Sequence, residues 1–85
     1  MEAWIDQLAK GLGEDTLSPR ETAELLQVAR GVAHRVERRI TPLATFLLGS
    51  AVGRGLANGA SRGDALQAAL DTVRSLLPEA SPTEG

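Results

Sequence analysis

The sequence contains no cysteine, no tyrosine and a single histidine. The absence of cysteine excludes disulfide bonds and thiolate metal sites, and one histidine cannot form a zinc site without other nitrogen or sulfur ligands. The only aromatic residues are Trp4 and Phe46, too few for the stacking platforms that bind single-stranded nucleic acids. The core must be built from Leu, Val and Ala, which favours helices. We predict neither a metal nor a cofactor.

Long apolar runs are also missing. The longest uncharged stretch, Ile40–Gly53, has 14 residues, whereas a helix needs about 20 residues to cross a bilayer. The N-terminal residues 1–6 are acidic and no long apolar run follows them, so they do not resemble a secretory signal. We therefore expect a cytoplasmic protein that does not bind a membrane.

The 85 residues are enough for one small domain with a thin core. We predict that residues 1–78 form this domain and that residues 79–85 are a disordered polar tail. Charge is distributed unevenly: residues 1–25 carry a net charge of −4, residues 26–63 carry +5 and residues 64–85 carry −3. Such a pattern indicates either charge pairing inside a helical bundle or a local anion-binding patch.

Apolar spacing and start signals predict four helices and no strand. The first helix spans about Glu2 to Gly11, because its apolar residues recur at helical spacing and glycines follow. The segment Ser18-Pro19-Arg20-Glu21 fits a capping box with proline at the first helical position. It therefore begins the second helix, which we expect to end near Arg38 or Arg39.

The third and fourth helices have start signals of the same kind. Thr41 is predicted to cap the third helix, with Pro42 as its first residue. Ser61 is predicted to cap the fourth helix, with Asp64 three residues later, and Pro78 marks its end.

The third helix is apolar on nearly every side, and such a helix must be covered all round. We predict an all-α fold, a compact four-helix bundle in which the third helix is central. Three short helices cannot fully enclose a fourth, so we also expect a symmetric homodimer with the third helix near the two-fold axis. The face expected to pack against another helix or a second chain consists of Phe46, Gly49, Gly53 and Ala57.

Gly53, Gly55 and Gly59 form a loose GxGxxxG pattern, which raises the alternative of a phosphate-binding loop. A dinucleotide-binding motif needs a preceding strand, and a P-loop needs Gly-Lys followed by Ser or Thr. Neither context is present. We therefore interpret Gly49 and Gly53 as positions where helices approach closely, and Gly55 and Gly59 as residues that loosen or end the helix.

A second candidate surface is cationic. Arg30, His34 and Arg38 lie on the outer side of the second helix, and Thr41 follows as the predicted cap of the next helix. Guanidinium groups suit carboxylates and phosphates, and a helix N-terminus adds partial positive charge. This surface is either merely solvated, or it binds an acidic protein or a small phosphorylated ligand.

Catalytic and DNA-reading chemistry find little support in the sequence. Ser50 lies inside an apolar helix, with no strand-turn-helix elbow to present its hydroxyl. The third helix carries Leu, Phe, Ala and Val where a DNA-reading helix needs Arg, Asn or Gln. We therefore predict a protein that is not an enzyme and does not bind nucleic acid.

The segments that carry a resemblance to a known family are Trp4-Ile-x-x-Leu8, Val32-Ala33-His34-x-Val36-Glu37-Arg38 and Pro42-Leu-Ala-Thr-Phe-Leu-Leu-Gly49. They resemble a small uncharacterised helical domain of actinobacteria and related bacteria. That domain occurs alone and also appended to nucleotidyltransferase-like proteins of molybdopterin-guanine dinucleotide biosynthesis. The resemblance implies an accessory role in molybdenum cofactor biosynthesis. Because this chain lacks the transferase and its glycine-rich loop, the resemblance implies no transfer reaction.

We therefore expect a non-enzymatic helical interaction module that forms a homodimer and docks on a partner protein. The alternative is a binder of a small anionic ligand, a nucleotide or a pterin phosphate, through Arg30, His34 and Arg38. The sequence names neither the partner nor the ligand.

Overall fold

A computed structural model describes residues 2–79 of the chain. Its elements are helix α1 (Glu2–Gly11), helix α2 (Pro19–Arg35), a 3₁₀ turn (Arg38–Ile40), helix α3 (Thr41–Ala57) and helix α4 (Arg62–Leu76). Because residues 2–79 contain four helices and no strand, the predicted all-α fold is confirmed. The predicted polar tail, residues 79–85, lies outside the described residues apart from Glu79.

Two helix starts have the side-chain caps that the sequence predicts. The amide of Glu21 donates to the hydroxyl oxygen of Ser18 over 3.1 Å, and the amide of Ser18 donates back to the Glu21 carboxylate over 2.8 Å. At the start of α4, the amide of Asp64 donates to the hydroxyl oxygen of Ser61 over 3.1 Å. A cap of this kind stabilises a helix by about 1 kcal/mol. Local sequence is therefore sufficient to place both starts.

The connection between α2 and α3 differs from the prediction, because α2 ends at Arg35 and not near Arg38. Glu37 is extended, with φ −167° and ψ 139°, and separates α2 from the 3₁₀ turn. Pro42 has no amide proton, so it could not donate to the carbonyl of Arg38 in a continuous helix. The break redirects the chain and allows Ile40 to pack against the hydrophobic core.

Thr41 does not cap α3, so that prediction is wrong. Its backbone is already helical, with φ −53° and ψ −49°, and its amide donates to the carbonyl of Arg38 in the 3₁₀ turn. A capping residue needs a non-helical backbone for its side chain to reach the amides of the next turn. The Thr41 hydroxyl is instead buried, without a hydrogen-bond partner among residues 2–79.

The hydrophobic core lies among α2, α3 and α4. Leu70 of α4 is completely buried, and the side chains buried around it are Val28, Val32, Leu48, Ala65 and Leu66. Helix α4 runs in the same direction as α2, because Arg62 at its start pairs with Glu21 and Leu77 beyond its end lies against Gly31. Helix α3 packs against both and is therefore the central helix of the core.

Helix α1 stands apart from this core. None of its Cα atoms lies within 8 Å of a Cα atom in another helix. Ile5 and Leu8, on its apolar side, are each 40% exposed. Helix α3 is therefore covered by two helices only, and not by the three that its apolar composition led us to expect. Its remaining surface is open.

The core predicts a sharp contrast between two leucines of α4. Leu70→Ala should lower the free energy of unfolding by about 2–5 kcal/mol, because it leaves a cavity in the core. Leu76→Ala is the control, since Leu76 is a leucine of the same helix that is 77% exposed. Urea unfolding followed by circular dichroism measures both variants. Similar losses in the two variants would place the core elsewhere.

Candidate functional site

An open apolar groove lies between α1 on one side and α2 and α3 on the other. Its volume is about 570 Å³, within the range of about 300–1,000 Å³ that is usual for ligand pockets. The side chains and glycines that line it include Ile5, Leu8, Leu25, Leu26, Gly49 and Gly53. Because α1 keeps its distance from the core, the apolar stripes of α1 and α2 face each other across an unfilled space.

The outward side of α3 extends this apolar surface beyond the groove. Phe46 is 73% exposed and Leu47 is 67% exposed, while Leu48 is the buried residue of this helix. We use the term apolar face for the groove together with exposed Phe46 and Leu47. A soluble monomer rarely exposes a contiguous apolar patch of more than a few hundred Å². The apolar face is therefore the strongest candidate for a functional surface on the described residues.

The predicted packing face of Phe46, Gly49, Gly53 and Ala57 is entirely exposed. A Cβ atom added at Gly49 or Gly53 would meet no atom within 4 Å among the described residues. Neither glycine therefore brings another helix of this chain close to α3. Phe46, Gly49 and Gly53 instead form one side of the apolar face.

Close helix packing within the chain occurs at other glycines. A Cβ atom at Gly55 would lie 3.0 Å from the Cβ atom of Ala65 on α4, and one at Gly31 would lie 3.0 Å from Cδ1 of Leu77. The prediction that Gly55 merely loosens or ends α3 is therefore wrong. Gly59 has φ +98°, a conformation that suits glycine after a helix end, as its spacing predicts.

Arg62 connects three parts of the chain at one end of the groove. Its Nε atom lies 3.1 Å from the Glu21 carboxylate, and its Nη1 atom donates to the carbonyl oxygen of Asp15 over 3.0 Å. The side chains of Arg62 and Glu21 are largely buried, 26% and 19% exposed, so their interaction is screened less than that of a surface pair. It attaches the loop that follows α1 to the starts of α2 and α4.

The candidate cationic residues are exposed, but Thr41 does not belong to the same surface. Arg30, His34 and Arg38 are all exposed. Within residues 2–79, none of the three forms a side-chain ion pair or hydrogen bond. The Thr41 hydroxyl is buried, and no open helix N-terminus exists at Thr41 to hold an anion. Any anion site here would depend on the two arginines and the histidine.

One continuous helical segment meets the length and composition criteria for a membrane span. It comprises the 3₁₀ turn and α3, Arg38–Ala57, 20 residues; an 18-residue window within it has a mean hydropathy of 1.3 and is only 6% buried. The uncharged stretch Ile40–Gly53 is shorter because Arg39 precedes it and Arg54 follows it. The core helix of a soluble protein can pass the same test, so this finding by itself does not place α3 in a membrane.

Sequence reasoning missed the groove and the role of α2 in forming it. The signal was the width of the apolar stripe on α2, which runs from Val28 and Val32 round to Leu26 and Ala29. Val28 and Val32 are buried in the core with residues of α3 and α4, whereas Leu26 remains exposed in the groove. A stripe wider than one neighbour can cover indicates a second contact surface.

Two glycines of α3 should respond in opposite ways to substitution by alanine. Gly49→Ala should raise the free energy of unfolding by up to about 1 kcal/mol, because alanine favours the helix and its methyl group meets open space. Gly55→Ala should lower it, because the new methyl group would force α3 away from Ala65, and overpacking costs about 1–3 kcal/mol. Urea unfolding of dilute protein measures both. Equal gains would show that α3 and α4 are not closely packed at Gly55.

Comparison with known proteins places the chain in a family without assigning a function. No curated protein and no solved structure matches it. The family described as a domain of unknown function (DUF6457) matches residues 1–85, the whole sequence. This match agrees with the resemblance to an uncharacterised helical domain, and the chain therefore belongs to the DUF6457 family.

Proposed function

We propose that this protein is a non-enzymatic helical interaction module that binds other protein chains through its apolar face. The observation that carries the proposal is the exposure of large apolar side chains beside an open groove, above all Phe46, Leu47 and Leu26. Burial of apolar surface contributes about 25 cal/mol per Å², so covering this face by a partner is strongly favoured. We further propose that a second copy of the chain is one such partner.

The large apolar side chains that remain exposed support this proposal. Leu26, Leu43, Phe46 and Leu47 are each more than half exposed. In a chain of 85 residues, which has a thin core, so many open apolar side chains indicate a surface that another chain can cover.

Substitution of Phe46 tests the interaction module. Phe46→Asp should weaken self-association at least about 30-fold, because a central aromatic residue contributes 2 kcal/mol or more to binding and a carboxylate would be buried. Sedimentation equilibrium measures association, and circular dichroism checks that the helices persist. Leu76→Asp is the control, since Leu76 is equally exposed but lies on α4, away from the apolar face. A wild-type chain that stays monomeric at high micromolar concentration would contradict self-association.

We also propose that the module acts in the cytoplasm as an accessory to molybdenum cofactor biosynthesis. The support is the resemblance of residues 2–77 to the helical domain found in actinobacteria and appended to nucleotidyltransferase-like proteins of that pathway. The chain would act by docking and not by transferring a nucleotide. Co-purification of tagged chain with the host nucleotidyltransferase tests the link, with Phe46→Asp as the control for docking through the apolar face. If the tagged chain recovers no more nucleotidyltransferase than an unrelated tagged protein does, this role is contradicted.

A second candidate function is the binding of a small phosphorylated ligand by Arg30, His34 and Arg38. The observation that favours it is that these exposed side chains lack acidic partners within residues 2–79. Arginine is well suited to bind phosphate through paired hydrogen bonds. A nucleotide or a pterin phosphate would be held at the surface, outside the groove.

Isothermal titration with GMP tests this second function. The triple variant Arg30→Ala, His34→Ala, Arg38→Ala should lose affinity at least about 100-fold, because each hydrogen bond to a charged group contributes about 1.5–3 kcal/mol. Arg20→Ala is the control, since Arg20 is an exposed arginine of α2 at its opposite end. Thr41→Val should leave binding unchanged, because the Thr41 hydroxyl is buried. No binding by the wild-type chain would remove this function.

A further inference from the structure

We infer that the groove of one chain receives Phe46 of a second copy, in a two-fold dimer whose α3 helices are antiparallel. This inference rests on the proposed interaction module and specifies its partner and geometry. In the single chain Phe46 is 73% exposed, and the groove next to it is unfilled. One symmetry operation that places each Phe46 in the other chain's groove removes both apolar surfaces from water.

The position of Phe46 relative to the groove makes this exchange possible. Gly49 and Gly53 line the groove, and they follow Phe46 by three and seven residues, so all three lie on neighbouring turns of one side of α3. A two-fold interface is reciprocal: if Phe46 contacts Gly53 of the second copy, Gly53 contacts the second Phe46. In an antiparallel pair this register places the axis between Gly49 and Ser50. The space above Gly53 is open to receive a ring.

A second copy fits the observations better than a small apolar molecule does. A molecule in the groove would leave Phe46 exposed on the outside of α3, whereas a second chain covers the groove and Phe46 together. A fatty acid is also disfavoured by charge. Glu14 and Asp15 line the groove beside Arg62, and the Arg62 guanidinium is already paired with Glu21. A free carboxylate entering there would meet acidic side chains without an available cation.

The distribution of charge selects the antiparallel arrangement. At one end of the core, where α2 ends, Arg30, Arg35 and Arg38 have no ion pair within residues 2–79. At the other end, where α2 and α4 begin, Asp15 and Asp64 are acidic residues that form no ion pair within residues 2–79. Antiparallel chains bring the basic end of one copy towards the acidic end of the other, whereas parallel chains would bring like charges together.

The separation of charge is partial, because Arg54, in the last turn of α3, lies near the acidic end of the core. The charges therefore orient the two chains, and the apolar face supplies most of the affinity.

Cysteine cross-linking tests the arrangement directly, because the chain has no cysteine of its own. Ser50→Cys places a thiol beside the inferred axis, and a disulfide needs Cα atoms within about 7 Å. Under mild oxidation at micromolar protein, this variant should form a disulfide-linked dimer at least about tenfold faster than Ala68→Cys, an exposed position on α4. Adding Phe46→Asp to Ser50→Cys should abolish the difference.

Gly53→Leu provides an independent variant that leaves the single chain intact. A Cβ atom at this position would meet no atom of residues 2–79 within 4 Å, and Gly53 lines the open groove. The helices should therefore be retained, while the leucine side chain fills the position that receives the partner's ring. Sedimentation should then show a folded monomer. A dimer that persists in Gly53→Leu, or equal cross-linking of Ser50→Cys and Ala68→Cys in a chain that sediments as a dimer, would overturn this geometry while leaving the interaction module standing.

Two further outcomes would overturn the choice of a second copy. A wild-type chain that is monomeric at high micromolar concentration would remove the dimer altogether. Flotation of the chain with phosphatidylglycerol–phosphatidylcholine vesicles, abolished by Phe46→Asp, would instead assign the apolar face to a membrane surface. Retention of the dimer in solution and no flotation are the results expected here.

Discussion

The close packing of α3 against α4 is the constraint on which the rest of the structure depends. Gly55 lacks a side chain where Ala65 approaches, and a methyl group there would lie 3.0 Å from the Ala65 Cβ atom. This contact commits one side of α3 to α4 and, with Leu48, to the core around Leu70. Phe46 projects from the opposite side of α3 to Gly55. It therefore cannot enter the same core.

The exposed side of α3 matters because no helix of the chain covers it. The loop after α1 is attached at Asp15 by Arg62, which brings α1 near the core without packing it there. The groove is the result, and it places apolar groups of all four helices around one space. A small domain with a thin core can gain stability by covering such a surface with a second chain. Binding of a second chain and folding of the domain then both bury apolar surface.

Local features were predictable from sequence where one or two neighbouring residues decide the conformation. The capping box at Ser18 and the cap at Ser61 form as predicted, since each needs only an amide three residues away. Thr41 has the same local signal but does not cap α3. The preceding 3₁₀ turn makes the Thr41 backbone helical, and the Thr41 amide donates to the Arg38 carbonyl. The packing roles of the glycines were harder to predict than the caps. Gly49 and Gly55 look alike in sequence, yet Gly55 alone of the two meets another helix.

The sequence by itself determined the all-α class, the number of helices and two of their starts, because these depend on periodicity and on short-range hydrogen bonds. It also indicated that α3 carries more apolar surface than its neighbours can cover. The tertiary structure decided which side of α3 is used inside the chain, that α1 stands away from the core, and that the Thr41 hydroxyl is buried apart from the exposed arginines. These outcomes depend on which helices approach each other, and residues distant in the chain control that approach together.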